Sequence, residues 1–244
     1  MDILPVLWDE WVFFKRRFGR ITSSALIGPV LYMIAFGWGM GQGVHVNGQS
    51  YMTFLIPGII ALTTMNSSYN AIAVQLNIHR LHDKSFQEYL IAPVSIFSIT
   101  LGKILAGALR GMYAGTVILL VSLLFGRAIR INIWFILMMF LNSLVFSALG
   151  FYAALVVQSH TDMNRFSTFV LTPMTFLCGT FFPPDRMPPA VKSIIYFLPL
   201  THSSLGLRAI SAGGDISCAN IAVPLSYFLA LFVLGLRQCY KVEA

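Results

Sequence analysis

Apolar residues fall in six long runs, at about 23–41, 53–76, 96–125, 131–157, 166–182 and 219–236, separated by short polar, glycine-rich or proline-rich stretches. A bilayer core takes roughly 20 apolar residues per helix, so the pattern predicts an all-α membrane protein with six transmembrane helices in a single domain, 1–244. Ahead of the first run, Leu4, Leu7, Trp8, Trp11 and Val12 recur at helical spacing, followed by Lys15, Arg16, Arg17 and Arg20. That predicts an amphipathic interfacial helix over 1–22, with its aromatic face toward lipid and its cations toward lipid phosphates. Glycines at 37, 39, 41 and 43 weaken the end of the first run, because each interior glycine costs a helix about 1 kcal/mol. A short outer turn is expected there.

Polar positions inside the runs are few and periodic. Asn66, Asn70 and Asn77 share a narrow arc of the second helix. Polar groups at that depth turn away from lipid, and two uses stay open: hydrogen bonds between helices or a stripe facing a substrate. Gly107, Gly111 and Gly115, four apart in the third run, form a doubled small-xxx-small pattern that lets another helix approach closely. The partner is either in the same chain or in a second copy. Ser143, Ser147 and Gly150, and then Thr168, Thr172 and Thr175, repeat the small or hydroxyl-bearing face. Pro173 removes a backbone donor from the fifth helix.

No Asp or Glu lies within the six runs. Proton- and sodium-driven carriers place acidic groups or unwound midplane helices at the coupling site, so the sequence points to another energy source. Arg110 is then expected to snorkel toward the cytoplasmic interface, with contact to a phosphate-bearing substrate as the alternative.

Two interruptions stand out. The segment His79–Ser95 (HRLHDKSFQEYLIAPVS) is charged at its start, amphipathic in the middle and halted by Pro93, which fits a short helix outside the membrane over 79–93. It is either a solvated turn or a docking element. The stretch FLCGTFFPPDRMPP (176–189) ends the fifth run on four prolines, and apolar sequence resumes after it.

Composition agrees with the pattern: 57% of the 244 residues are hydrophobic and 10% charged, against about 25% charged in soluble domains. The net charge of +7 points to nucleic acid only in a soluble protein; here its placement decides. Lys15, Arg16, Arg17, Arg20, Arg80, Lys84, Lys103, Arg165, Arg237 and Lys241 fall on one side of a six-helix topology. Arg127, Arg130, Arg186, Lys192 and Arg208 fall on the other. That bias puts both termini in the cytoplasm. The first run starts too late for a cleaved signal peptide. Cys178, Cys218 and Cys239 give no disulfide or zinc framework, and His79 with His82 lack a third ligand, so no metal site is expected. Phosphate-binding loop, nucleophile-elbow and zinc-protease motifs are absent, so no catalytic residue is assigned.

Three features in order, EYLIAPVS after a charged segment, LTPMTFLCGTFFPPDRMPP, and FLPLTHSSLGLR before a last run, resemble the type 2 export permeases of the ATP-binding-cassette class. That class includes permeases for nodulation factors, polysaccharides, teichoic acids and hydrophobic drugs. The resemblance covers essentially the whole chain and is most specific from Pro173 to Arg208. It implies a bacterial inner-membrane, multi-pass permease of two copies, each engaging a separate ATPase subunit that binds ATP and Mg. The coupling helix would lie at about Arg80–Leu90, with Arg80, Asp83, Lys84, Glu88, Tyr89 and Leu90 as contacts. The resemblance also implies a re-entrant segment over 183–208 between the fifth and sixth spans, with Phe181, Phe182, Pro183 and Pro184 shaping an outer gate. An amphipathic or lipid-linked cargo, a glycolipid or hydrophobic drug, is then expected, with membrane lipids as neighbours. The rival readings are a membrane-embedded enzyme acting on a lipid, using His79, His82, Asp83 or His202, and a channel without ATP coupling.

Overall fold

The computed structural model describes residues 3–39, 43–46, 49–81, 94–124, 129–184 and 187–243. Within them the chain is helical: α1 (Ile3–Arg16), α2 (Phe18–Tyr32), α3 (Tyr51–Leu81), α4 (Ile96–Leu124), α5 (Ile133–Val156), α6 (His160–Leu177), α7 (Pro189–Phe197), α8 (Pro199–Ser211) and α9 (Cys218–Glu243). A two-residue antiparallel ladder, β1 (His45–Val46) with β2 (Gln49–Ser50), closes the turn between α2 and α3.

Four of these helical stretches are long and apolar enough to cross a membrane: Phe18–Gly37, Ile96–Leu124, Ile133–Val156 and Cys218–Lys241. Helix α3 has 31 residues and at 1.5 Å per residue is about 46 Å long, but its threonines, serines and asparagines lower its hydropathy. Helix α6 has 18 residues and begins with the polar His160, Thr161, Asp162, Asn164 and Arg165. It starts earlier than the run at 166–182 because Ser159 caps it, accepting a hydrogen bond from the Asp162 amide.

The interfacial element is shorter than 1–22. At Arg17 the backbone leaves the helix (φ −114°, ψ 14°) and α2 begins at Phe18, so the first apolar helix starts before residue 23. Packing sets this break: α1 lies against α4, and Phe14 meets Tyr113 and Phe18 edge-on at 5.1 and 5.6 Å. The expected fraying at the glycines takes the form of a π-helix over Met33–Gly39.

Helix α3 is the centre of the bundle. It packs most broadly on α5 and α4 and also on α8, while α9 covers α5 and α8. Helices α2 and α6 touch the bundle only lightly, and no residue of α2 is buried. Grooves therefore open beside them.

Candidate functional site: a polar groove and its ionic anchor

The glycine stripe of α4 finds its partners within the chain. A Cβ at Gly107 would strike Ser147 and Ile72, and at Gly111 it would stand 2.7 Å from Ser143 Oγ, 2.9 Å from Ser68 Cβ and 3.0 Å from the Thr64 carbonyl. At Gly115 it would meet Thr64 Cγ2 at 2.6 Å. Both α3 and α5 thus press onto one line of glycines, which answers whether the stripe serves the same chain. Ser147 donates to the Ile104 carbonyl at 2.7 Å, and Asn142 donates to Ala61 O and Thr64 Oγ1 at 2.9 and 2.7 Å. These bonds tie the three helices together.

Where α3 turns away from α4 and α5 it faces α2 across a groove of about 620 Å³. Asn66 and Asn70 line it, half-buried and exposed respectively, together with Ser67 and Thr63. Asn77, on the same arc, is instead fully buried, and among the described residues its amide has no hydrogen-bond partner. The floor of the groove toward α1 is cationic, with Arg17, Arg20 and Arg110.

Arg110 reaches from α4 to α1. It is buried beside Glu10 of α1, donating to the Glu10 carboxylate at 2.9 Å and to Gln75 Oε1 at 3.2 Å. Lys103, expected in a connection, lies inside α4 with its side chain 2% exposed and donates to the other Glu10 oxygen at 2.6 Å. Gln75 also donates to that oxygen at 3.3 Å. Helix α1 thus supplies the acid that α4 lacks. A stripe of Val6, Glu10 and Phe14 faces inward, while Trp8 (68% exposed) and Trp11 (55%) face outward. Glu10, Gln75 and Phe13 were not singled out from the sequence. The i, i+4, i+8 spacing of Val6, Glu10 and Phe14 is the signal that marks the second face.

The threonines of α6 divide. Thr168 and Thr172 are exposed, whereas Thr175 is buried and donates to its own helix at Leu171 O, 2.9 Å. The inner side of α6 is held by Tyr69, whose hydroxyl lies 3.0 Å from Ser167 Oγ.

Beyond α6 the turn FFPP is pinned. Phe181 is fully buried among Tyr32, Phe36 and Phe176, at ring distances of 5.1, 4.7 and 5.9 Å. Its carbonyl accepts from Tyr51 Oη at 2.7 Å. Arg208 donates to Thr180 O at 2.8 Å and Phe54 O at 3.1 Å, with its guanidinium 3.8 Å from the centre of the Phe54 ring. Gly179 takes φ +75°, and a Cβ there would stand 2.8 Å from Pro184 Cγ. Phe182 alone of the four expected gate residues is exposed, Pro183 being half-buried and Pro184 buried. The chain then returns through α7 and α8, broken at Leu198 before Pro199.

Of the expected coupling residues, Arg80 is described. It donates to the carbonyls of Leu155 and Val157 at the C-terminal end of α5, the second at 2.6 Å. Those carbonyls have no partner within their helix, and a cation there also meets the negative end of the helix dipole. Asp83, Lys84, Glu88, Tyr89 and Leu90 lie outside the described residues, as does Arg186. Among the described residues no group of His, Cys, Asp or Glu is placed to hold a metal ion.

The profile of the ABC-2 type transporter family matches residues 2–211 of the 244. The chain belongs to that family. This ABC-2 transporter chain is 28% identical over 239 residues to the inner membrane transport permease YadH of Escherichia coli K12, with 95% of this chain and 91% of the relative covered. It is similar at 29% identity over 244 residues to nodulation protein J of Rhizobium leguminosarum bv. viciae, covering 95% and 94% of the two chains. Nodulation protein J of Rhizobium meliloti aligns at 27% over 253 residues, covering 96% of each. The polar groove and the pinned turn of this ABC-2 chain lie inside the matched span.

Proposed function

We propose that the chain is the transmembrane permease subunit of an ATP-driven exporter that moves an amphipathic or lipid-linked molecule, a glycolipid or a hydrophobic drug, out of the cytoplasm or the inner leaflet. The observation that carries this reading is the groove between α2 and α3, polar and cationic at one end and apolar along its wall, in a chain of the ABC-2 type transporter family. Relatives named as an inner membrane transport permease support a multi-pass place in a bacterial inner membrane. The cation bias of the sequence supports cytoplasmic termini.

With α3 and α6 also crossing, the chain has six spans, and α7 with α8 forms a re-entrant pair in the outer half; α8 is packed on α3, α5 and α9, as such backbone requires, while α7 buries only Ile195. A second permease copy covers the open faces of α2 and α6. The chain carries no nucleotide-binding loop of its own, so ATP and Mg belong to two cytoplasmic ATPase subunits docked on the segments 79–93. The anchoring of Arg80 on the end of α5 supplies a rigid lever through which docking is felt by the bundle.

The test is copurification with the candidate ATPase and ATP hydrolysis in proteoliposomes, comparing wild type with Glu88→Arg and Tyr89→Ala. Association and hydrolysis in the wild type, with dissociation or uncoupling in the variants, support the reading. If no ATPase associates and the variants match the wild type, the exporter reading fails.

A further inference from the structure

We infer that the groove between α2 and α3 binds the phosphate headgroup of an anionic amphiphile, with Arg17, Arg20 and Arg110 as its headgroup ligands. This deepens the export reading and rests on it only in taking the amphiphile for cargo; the binding itself is separable.

The groove is cationic at this end, with Arg17, Arg20 and Arg110. Glu10 is engaged with Lys103 and Arg110 at 2.6 and 2.9 Å, and among the described residues no Asp or Glu lines the groove. The exposed guanidinium groups of Arg17 and Arg20 are therefore complementary to an anion.

Geometry prepares the cations for a phosphate. The guanidinium carbons of Arg17 and Arg110 lie 4.5 and 5.0 Å from the centre of the same Phe13 ring. Each is steadied by the ring's electron-rich face, and a planar guanidinium presents paired donors that match phosphate oxygens. Arg17 and Arg20 are exposed and open to a ligand, while Arg110 forms the floor.

Position sets the ligand's other half. The outward Trp8 and Trp11 of α1 place that helix at headgroup depth, where tryptophans gather, and Arg17 and Arg20 follow directly. From there the groove runs along Ile21, Ala25 and Pro29 on one wall and Val74, Ala71 and Leu62 on the other. That is a track for an acyl or polyprenyl chain. The volume of about 620 Å³ falls in the range of roughly 300–1,000 Å³ usual for small-molecule sites.

The experiment is native mass spectrometry of the purified full chain in detergent, titrated with phosphatidylglycerol, with diacylglycerol of the same chains, and with inorganic phosphate. The expected result is one phosphatidylglycerol per chain, no diacylglycerol, and binding at least tenfold weaker in the Arg17→Gln/Arg20→Gln variant. The Arg237→Gln/Lys241→Gln variant, which removes exposed cations at the end of α9, should bind as wild type does. Circular dichroism checks that both variants keep their helicity, and Arg20→Gln alone, with a smaller loss, serves if the double variant does not fold. Equal binding of diacylglycerol, or unchanged phosphatidylglycerol binding in Arg17→Gln/Arg20→Gln, overturns the inference. So does an equal loss in both double variants, which would mean diffuse surface charge. Displacement of the lipid by low-millimolar inorganic phosphate overturns the acyl track and leaves a free-phosphate site. Because no ATPase is present, failure here leaves ATPase association untouched, and failed association leaves lipid binding in place.

Discussion

Glu10 Oε1 accepts a hydrogen bond from Lys103 Nζ at 2.6 Å although 93 residues separate them. The bond fastens the amphipathic helix α1 to the bundle, and Arg110 and Gln75, themselves hydrogen-bonded, also donate to the Glu10 carboxylate. Removing Glu10 takes away the carboxylate that both buried cations share. Glu10→Gln is expected to destabilise the protein by about 3–5 kcal/mol, the usual consequence of breaking a buried pair. Glu10→Leu combined with Lys103→Met should recover part of that loss. Thermal unfolding in detergent of the single and double variants measures it, and equal stability of Glu10→Gln and wild type would show that the cluster is not an anchor.

Gly111 sits where α3 and α5 both press on α4. Gly111→Ala should destabilise by about 1–3 kcal/mol through overpacking, since one of the three close neighbours is backbone. Gly19, with nothing within 4 Å of a Cβ, gives the opposite sign: Gly19→Ala should gain up to about 1 kcal/mol of helix propensity. Melting temperatures of the two variants, moving in opposite directions, check the pair.

Tyr51 holds the proline turn through its hydroxyl on the Phe181 carbonyl at 2.7 Å. Tyr51→Phe keeps the ring and leaves that buried carbonyl without this donor, at about 1–3 kcal/mol. Hydrogen exchange should rise in residues 178–184 and stay unchanged in α5. Uniform exchange across the chain would deny the turn its pin.

Arg80 caps the end of α5 rather than projecting free from α3. Arg80→Met is therefore expected to lose about 1.5–3 kcal/mol per charged hydrogen bond, visible as faster exchange at 153–157 before any ATPase is added. Should Arg80→Met change ATPase association while leaving that exchange as it was, the residue would be a docking contact instead.

The candidate groove was half legible. Asn66 and Asn70 announce a polar stripe by their spacing alone, and the structure places them on the groove while withdrawing Asn77 into the core. The cationic floor was not legible, because Arg17 and Arg20 read as an interfacial flank and Arg110 as a lone charge. Their meeting on Phe13 depends on where α1 crosses α4, and no local pattern encodes that crossing.

What the sequence by itself determined is the local part of this protein: apolar helices of membrane length, a glycine line on one helical face, a proline-closed turn and a family resemblance carried by ordered motifs. Helical period and apolar run length are properties of neighbouring residues, so one chain suffices to read them. Tertiary structure alone decided which helices fill the glycine line, that Glu10 pairs with cations 93 and 100 residues away, and that the Phe181 carbonyl meets the hydroxyl of Tyr51, 130 residues distant. Each of these is a contact between segments whose separation in sequence says nothing of their distance in space. Packing chose them, because buried charge and backbone must find partners wherever the fold brings them.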